Sequence, residues 1–188
     1  MELFLSICLG IGLSAATGFR IFVPALIASV ATMNDWITPA ESFAWLGTWT
    51  AFIILLTATA VEIAAYYIPL IDNLLDTIAV PASVIAGTIL TTSFLELNNP
   101  VLQWVLGIIV GGGTAGVVQS GTGLLRFFSS KFTGGLGNPV VSTAENLAAF
   151  SISSLAVLVP VIALIFTVVL LVWIIRGFKR LGNRNPHF

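Results

Sequence analysis

Long apolar runs constrain the fold of this chain more than any other feature. A helix needs about 20 apolar residues to cross the hydrocarbon core of a bilayer. Runs near this length, separated by short polar stretches, follow one another along the sequence, at 3–31, 45–68, 80–95, 101–125 and 140–175. The sequence therefore predicts an all-α fold, a polytopic transmembrane helix bundle.

The composition supports the same fold class. Hydrophobic residues make up 57% of the chain and charged residues 8%, whereas a soluble domain carries about a quarter charged residues. This excludes a soluble enzyme, a nucleic-acid-binding protein and a disordered chain. With Cys8 as the only cysteine and His187 as the only histidine, we expect no disulfide, no metal centre and no cofactor. The expected principal partner is the lipid bilayer.

The last apolar run is too long for one crossing. Its 36 residues would make a helix of about 54 Å, against a hydrocarbon core of about 30 Å. Pro160 can divide it into two elements. The positive-inside rule favours this division, because Arg126, Lys131 and the basic tail at 176–188 then share the cytoplasmic side. We therefore predict one transmembrane domain at 1–175, with six membrane elements preferred over five and both termini cytoplasmic.

The two halves of the chain share a faint pattern. The matched pairs are 14–22 with 120–128, Glu62 with Glu145, and Val80-Pro81 with Val159-Pro160. Because three spans per unit is an odd number, the second unit would enter the membrane in the opposite orientation. Inverted repeats of this kind, here 1–99 and 100–175, are typical of transporters.

Two ionisable residues lie inside apolar runs. A charge in the membrane costs about 2.5–3.5 kcal/mol on insertion scales, so it needs a partner, a water-filled cavity or a function. Arg20 suits an anion clamp or a fixed counter-ion, and the alternatives are a structural salt bridge or snorkelling to the headgroups. Glu62, with Tyr66 on the same helix face, suits a proton or cation site. The alternative is a pair with an arginine that joins two helices.

A short polar segment holds two aspartates at helical spacing. Asp72 and Asp76, with Asn73 between them, would place two carboxylates and an amide oxygen on or near one helix face. Such hard oxygen ligands suit a small cation. The alternative is a helix start, where acidic residues are favourable.

The segment 126–139 has the composition of a glycine-rich loop. Its distinctive residues are Gly134, Gly135, Gly137 and Asn138. It could be a re-entrant loop whose backbone lines a cavity. Alternatively, it leads into a helix that begins at about Ser142, where Glu145 completes a capping box.

Glycines at a spacing of four occur in the fourth apolar run. They are Gly107, Gly111, Gly112 and Gly116. Small residues at this spacing allow two helix backbones to approach closely, within one subunit or between two copies of the chain.

Four motifs in a fixed order resemble a known family. They are Gly18-Phe-Arg-Ile-Phe-Val-Pro24, Glu62-Ile-Ala-Ala-Tyr-Tyr-Ile-Pro-Leu-Ile-Asp-Asn-Leu-Leu-Asp76, Pro81 with Ala86-Gly87, and the segment 133–145. Together they resemble a bacterial integral membrane family catalogued as domain of unknown function 4126. The resemblance covers nearly the whole chain and implies a polytopic protein of the bacterial inner membrane. It implies no activity.

These observations favour a small transporter or channel-like protein with an acidic site for a proton, a small cation or a small molecule. One alternative is a non-catalytic scaffold or assembly factor that packs through its fourth helix, also in a homo-oligomer. An intramembrane lipid-modifying enzyme is less favoured, because no nucleophile and base are apparent.

Overall fold

The structure is a computed structural model that describes residues 2–182, without the side chains at positions 2, 69, 70, 73, 181 and 182. Across these residues the regular structure is helical and contains no β-strand, so the predicted all-α fold is confirmed. The α-helices are α1 (Glu2–Thr17), α2 (Phe22–Met33), α3 (Trp49–Ala65), α4 (Pro69–Phe94), α5 (Pro100–Leu106), α6 (Gly113–Thr133), α7 (Asn138–Leu158) and α8 (Pro160–Gly182). A 3₁₀ helix at Glu41–Gly47 precedes α3, and a π-helix at Gly107–Gly112 joins α5 to α6.

Four helical stretches are long and apolar enough to span a membrane. They are Leu74–Phe94, Pro100–Thr133, Asn138–Leu158 and Pro160–Arg180. The 3₁₀ helix and α3 meet at a bend of 67° and make a fifth span if they are taken together. As predicted, the last apolar run is divided at Pro160. These apolar helices indicate a membrane protein.

The first apolar run is not one helix. It breaks at 18–21 into α1, which has 16 residues, and α2, which has 12. α1 runs antiparallel to α4, because Thr91 Oγ1 donates a hydrogen bond to the Gly10 carbonyl at 3.1 Å and Ser14 Oγ donates to the Gly87 carbonyl at 2.7 Å. α1 therefore starts near the end of α4 and ends beside its middle.

α2 then returns to the end of the bundle where α1 started. The Ala40 N–H, a few residues beyond α2, donates to the Ser93 carbonyl at 2.7 Å, close to the end of α4. α1 and α2 thus form a helical hairpin, and residues 18–21 are its tip. The tip lies at mid-depth, because a Cβ on Gly18 would come within 2.5 Å of Val118, in the middle of the span 100–133.

The charges outside the interior are sorted between the two ends of the bundle. The acidic end, where α1 starts, carries Asp35, Glu41 and Glu96, and the basic end, where α8 finishes, carries Lys131, Arg176, Lys179 and Arg180. α8 runs from the acidic end to the basic end, since a Cβ on Gly12 would meet Ala163 and one on Gly121 would meet Ile174, each at 3.1 Å.

The predicted loop at 126–139 is mostly helix. α6 continues to Thr133, so only residues 134–137 connect it to α7. Gly134 and Gly135 have φ angles of +62° and +91°, a conformation that other residues rarely adopt, and they end α6. α7 begins at Asn138 rather than at Ser142, so the predicted capping box is wrong.

The glycines of the fourth apolar run bring its helix against α4 of the same chain. A Cβ on Gly107 would lie 2.0 Å from Thr92 Oγ1, and one on Gly111 would lie 2.3 Å from Thr91 Oγ1. Gly112 and Gly116 likewise face residues of α4. These glycines are therefore used within one chain.

Candidate functional site

Arg20 lies at the tip of the α1–α2 hairpin and is 1% exposed. Its Nη1 donates to Glu145 Oε2 at 2.8 Å and to the Phe19 carbonyl at 3.0 Å. Its Nε donates to Asn146 Oδ1 at 2.6 Å, and its Nη2 donates to the Ser142 carbonyl at 3.1 Å. The hairpin tip is therefore fastened to α7 by a charged hydrogen-bond network.

A second buried guanidinium, that of Arg126 on α6, meets the same carboxylate. Arg126 forms ion pairs with Glu145 on α7 and with Asp72 on α4. Its Nη2 also donates to Ser142 Oγ at 3.0 Å. The prediction that Arg126 lies in a cytoplasmic loop is wrong, because α6 extends past it and packing covers it.

Tyr66, directly after α3, contacts both arginines through its ring. The guanidinium carbon of Arg20 lies 4.0 Å from the ring centroid, and that of Arg126 lies 4.4 Å from it. Cation–π contacts are strongest where the cation is shielded from water, as both guanidiniums are here. Tyr66 thus helps to stabilise two positive charges close together.

Asp72 is fully buried near the start of α4. One of its oxygens pairs with Arg126, and the other accepts a hydrogen bond from Asn138 Nδ2 at 3.1 Å. Asp72 is therefore paired with the guanidinium of Arg126, whereas the sequence suggests a small cation beside this carboxylate. The side chain of Asn73, the third member of that predicted site, lies outside the described residues. Among the residues that are described, no cluster of His, Cys, Asp and Glu side chains could hold a metal ion.

Glu62, near the end of α3, binds the start of α2. Its Oε1 accepts a hydrogen bond from the Ile21 N–H at 2.8 Å, and its Oε2 accepts one from the Phe22 N–H at 3.0 Å. These amides have no acceptor within α2 and lie at the positive end of its helix dipole, so a carboxylate is favourable there. In the structure the partners of Glu62 are two backbone amides. The alternatives from the sequence are a proton or cation site and a pair with an arginine.

Asp76 is the least compensated carboxylate of the group. Its Oδ1 lies 3.8 Å from Arg126 Nε, and this buried oxygen accepts no hydrogen bond. The side chain is 27% exposed, whereas those of Asp72 and Glu145 are at most 5% exposed. Asp76 therefore lies at the edge of the cluster, where it is accessible from outside.

The cluster as a whole has more carboxylates than guanidiniums. Its charged members are Arg20, Arg126, Glu62, Asp72, Asp76 and Glu145. Desolvating each charge costs several kcal/mol, and only a well-placed partner offsets this cost. The two arginines and the α2 amides compensate three of the four carboxylates.

Apart from Asn73, every predicted ion-site residue is part of this arrangement, while Gly134, Gly135 and Gly137 are in the connecting turn beyond it.

One family model matches most of the chain. The model described as Domain of unknown function (DUF4126) matches residues 7–180. The chain belongs to this family. No curated protein and no solved structure matches it. The matched range contains every member of the buried charge cluster.

Three members of the network are not predicted from the sequence. The sequence gives Arg126 a role in orientation only, and it does not single out Ser142 and Asn146 as site residues. The internal repeat carried a signal for Arg126, because it aligns that residue with Arg20. Both arginines bind the same carboxylate, Glu145.

Proposed function

We propose that this protein is a small transporter or channel-like protein in which the charge cluster carries protons or small cations. The observation that supports this most is the excess of buried carboxylates over guanidiniums where the α1–α2 hairpin tip meets α3, α4, α6 and α7. Ionisable residues inside a membrane domain are expensive and typically mark ion or proton pathways.

Asp76 is the proposed exchanging carboxylate. Glu62, Asp72 and Glu145 each accept at least one hydrogen bond from an arginine or from a backbone amide, which compensates the charge of the carboxylate. Asp76 Oδ1 accepts none and is linked to Arg126 at 3.8 Å only. A proton or a small cation bound at Asp76 would neutralise the least compensated charge and leave the arginine pairs of Asp72 and Glu145 intact.

A groove between α3 and α4 supports access to the cluster from the side. It has a volume of about 660 Å³ and is lined mostly by apolar side chains, with Glu62 and Tyr66 at its inner wall. Broken helices whose ends meet at a polar site are typical of transporters. The α1–α2 hairpin supplies such ends, since Glu62 binds the first amides of α2.

Proton flux in proteoliposomes tests this proposal. The full chain is reconstituted with a pH-sensitive dye inside, and a potassium diffusion potential drives proton entry. We expect the wild type to acidify the lumen faster than protein-free liposomes do, and Asp76→Asn to reduce the rate to that of protein-free liposomes. Glu96→Gln, which removes an exposed carboxylate at the acidic end, is the matched control and should keep the wild-type rate. Wild-type flux in Asp76→Asn would contradict the role of Asp76, and no flux in the wild type would contradict proton transport.

A non-transporting scaffold is the second candidate. The observation in its favour is that both arginines are saturated by partners, so the cluster could act purely as a clamp between helices. A stoichiometric partner that co-purifies with the chain, together with no flux, would favour this candidate.

We also propose the bacterial inner membrane as the location, with the basic end facing the cytoplasm. The positive-inside rule assigns Lys131, Arg176, Lys179 and Arg180 to that side. The end of α8 is then cytoplasmic, as the sequence predicts. The start of α1 is then on the opposite side of the membrane, whereas the sequence predicts it in the cytoplasm.

A further inference from the structure

A separate groove runs between α6 and α8 at the basic end of the bundle. Its volume is about 430 Å³. The wall is largely apolar and includes Phe19, Leu124, Leu125, Phe128, Leu170 and Ile174. The groove is distinct from the opening between α3 and α4, because the two share no lining residue.

Two arginines stand at the mouth of this groove. Arg176 and Arg180 lie one turn apart on α8, and both line the groove and are exposed. Within residues 2–182, neither forms an ion pair, and the acidic residues outside the buried cluster are at the opposite end of the bundle. Trp173 lines the same groove, and tryptophan is enriched at the membrane–water interface. The mouth is therefore cationic and at headgroup depth.

We propose that this groove binds an anionic phospholipid. The phosphate would bind Arg176 and Arg180, since guanidinium groups match phosphate oxygens with paired hydrogen bonds. One acyl chain would lie along the apolar wall. Basic pockets between transmembrane helices on the cytoplasmic side recognise anionic headgroups in this way.

The lipid would also contact the hairpin tip. Phe19, at the inner end of the groove, directly precedes Arg20, and its carbonyl accepts a hydrogen bond from Arg20 Nη1 at 3.0 Å. An acyl chain packed against Phe19 would therefore support the segment that presents Arg20 to Glu145. Binding is expected to raise the melting temperature of the protein.

Native mass spectrometry of the full chain in detergent tests the proposal. The protein is titrated with dioleoyl phosphatidylglycerol and, separately, with dioleoyl phosphatidylcholine. We expect one tightly bound phosphatidylglycerol and a much weaker response to phosphatidylcholine. Equal affinity for both lipids would overturn the proposal, and so would a second copy of the chain that covers the α6–α8 face.

Three variants locate the site. Arg176→Gln with Arg180→Gln should weaken phosphatidylglycerol binding by roughly 30-fold, because the two guanidiniums that bind the phosphate are lost and each contributes about fivefold to the affinity. Lys179→Gln is the matched control: it removes a positive charge from the same turns of α8, but its side chain lines a different groove.

Leu125→Trp should block the apolar wall while keeping both arginines. Equal losses in Lys179→Gln and the double variant, or wild-type binding in Leu125→Trp, would contradict a site in this groove. Unchanged circular dichroism and gel-filtration profiles verify that each variant folds.

Discussion

At Arg126, one guanidinium faces three buried or partly buried carboxylates. It pairs with Glu145 and Asp72, and its Nε lies 3.8 Å from Asp76. Removing one member of a buried ion network leaves its partners charged and unpaired, which costs more than the pairs contribute when they are intact. Arg126 is therefore the residue whose loss the cluster tolerates least.

Arg126→Gln should destabilise the protein by about 3–5 kcal/mol, because Asp72 and Glu145 would lose their main counter-charge. Thermal unfolding in detergent, followed by circular dichroism, measures the change. Lys131→Gln removes an exposed charge from the same helix and should leave the melting temperature nearly unchanged. Equal melting temperatures for the two variants would show that the pairs of Arg126 are not important for stability.

Glu62→Ala should destabilise the hairpin tip by about 1–3 kcal/mol, because the Ile21 and Phe22 amides would lose their acceptors. Hydrogen exchange is the direct measurement: these two amides should exchange faster than in the wild type. Glu41→Ala removes an exposed glutamate and serves as the control. Unchanged protection of both amides in Glu62→Ala would contradict the capping role.

Among the elements, the span boundaries are easier to predict from sequence than the hairpin. Pro160 divides the last run as predicted, because proline disrupts helix hydrogen bonding locally. The break at 18–21 lies inside the first apolar run, and a helix that turns back inside a bundle needs the same apolar residues as one that crosses. What stabilises the break is Glu62, about 40 residues later in the chain. Such a distant partner leaves no local pattern in the sequence.

The close packing of the π-helix against α4 leads to a prediction with an internal control. In Gly111→Ala the new Cβ would lie 2.3 Å from Thr91 Oγ1 and 2.5 Å from the Gly87 carbonyl, whereas a Cβ on Gly113 would meet nothing within 4 Å. Gly111→Ala should therefore cost about 1–3 kcal/mol. Gly113→Ala should be neutral or stabilising by up to about 1 kcal/mol, because alanine is the better helix former. Melting temperatures in detergent compare the two, and a smaller cost for Gly111→Ala than for Gly113→Ala would contradict this packing.

In the whole molecule, four helices (α3, α4, α6 and α7) and the hairpin tip must come together before the cluster exists. The sequence supplied Arg20, Glu62, Asp72, Asp76 and Glu145 as candidates, because a charge in an apolar run is conspicuous. It could not supply their pairing. Arg20 binds Glu145, which is 125 positions away, and this pairing depends on the packing of α1 against α7. The repeat in the sequence aligns Arg20 with Arg126 but does not predict that both meet one carboxylate.

The hairpin also determines which segments face each side of the membrane. Because α1 and α2 enter and leave at the acidic end, residues before α3 remain on one side and α8 finishes on the other.

A single-cysteine test uses Cys8→Ser as the background and adds Glu41→Cys, Glu96→Cys or Lys131→Cys. In intact cells, a membrane-impermeant maleimide should label the first two variants, and it should label Lys131→Cys only after permeabilisation, because the proposed orientation places the basic end in the cytoplasm. If α1 crossed the membrane as a full span, with the basic end still cytoplasmic, the start of the chain would be cytoplasmic. A cysteine at Glu2 distinguishes the two topologies: labelling in intact cells supports the hairpin, and labelling only after permeabilisation contradicts it.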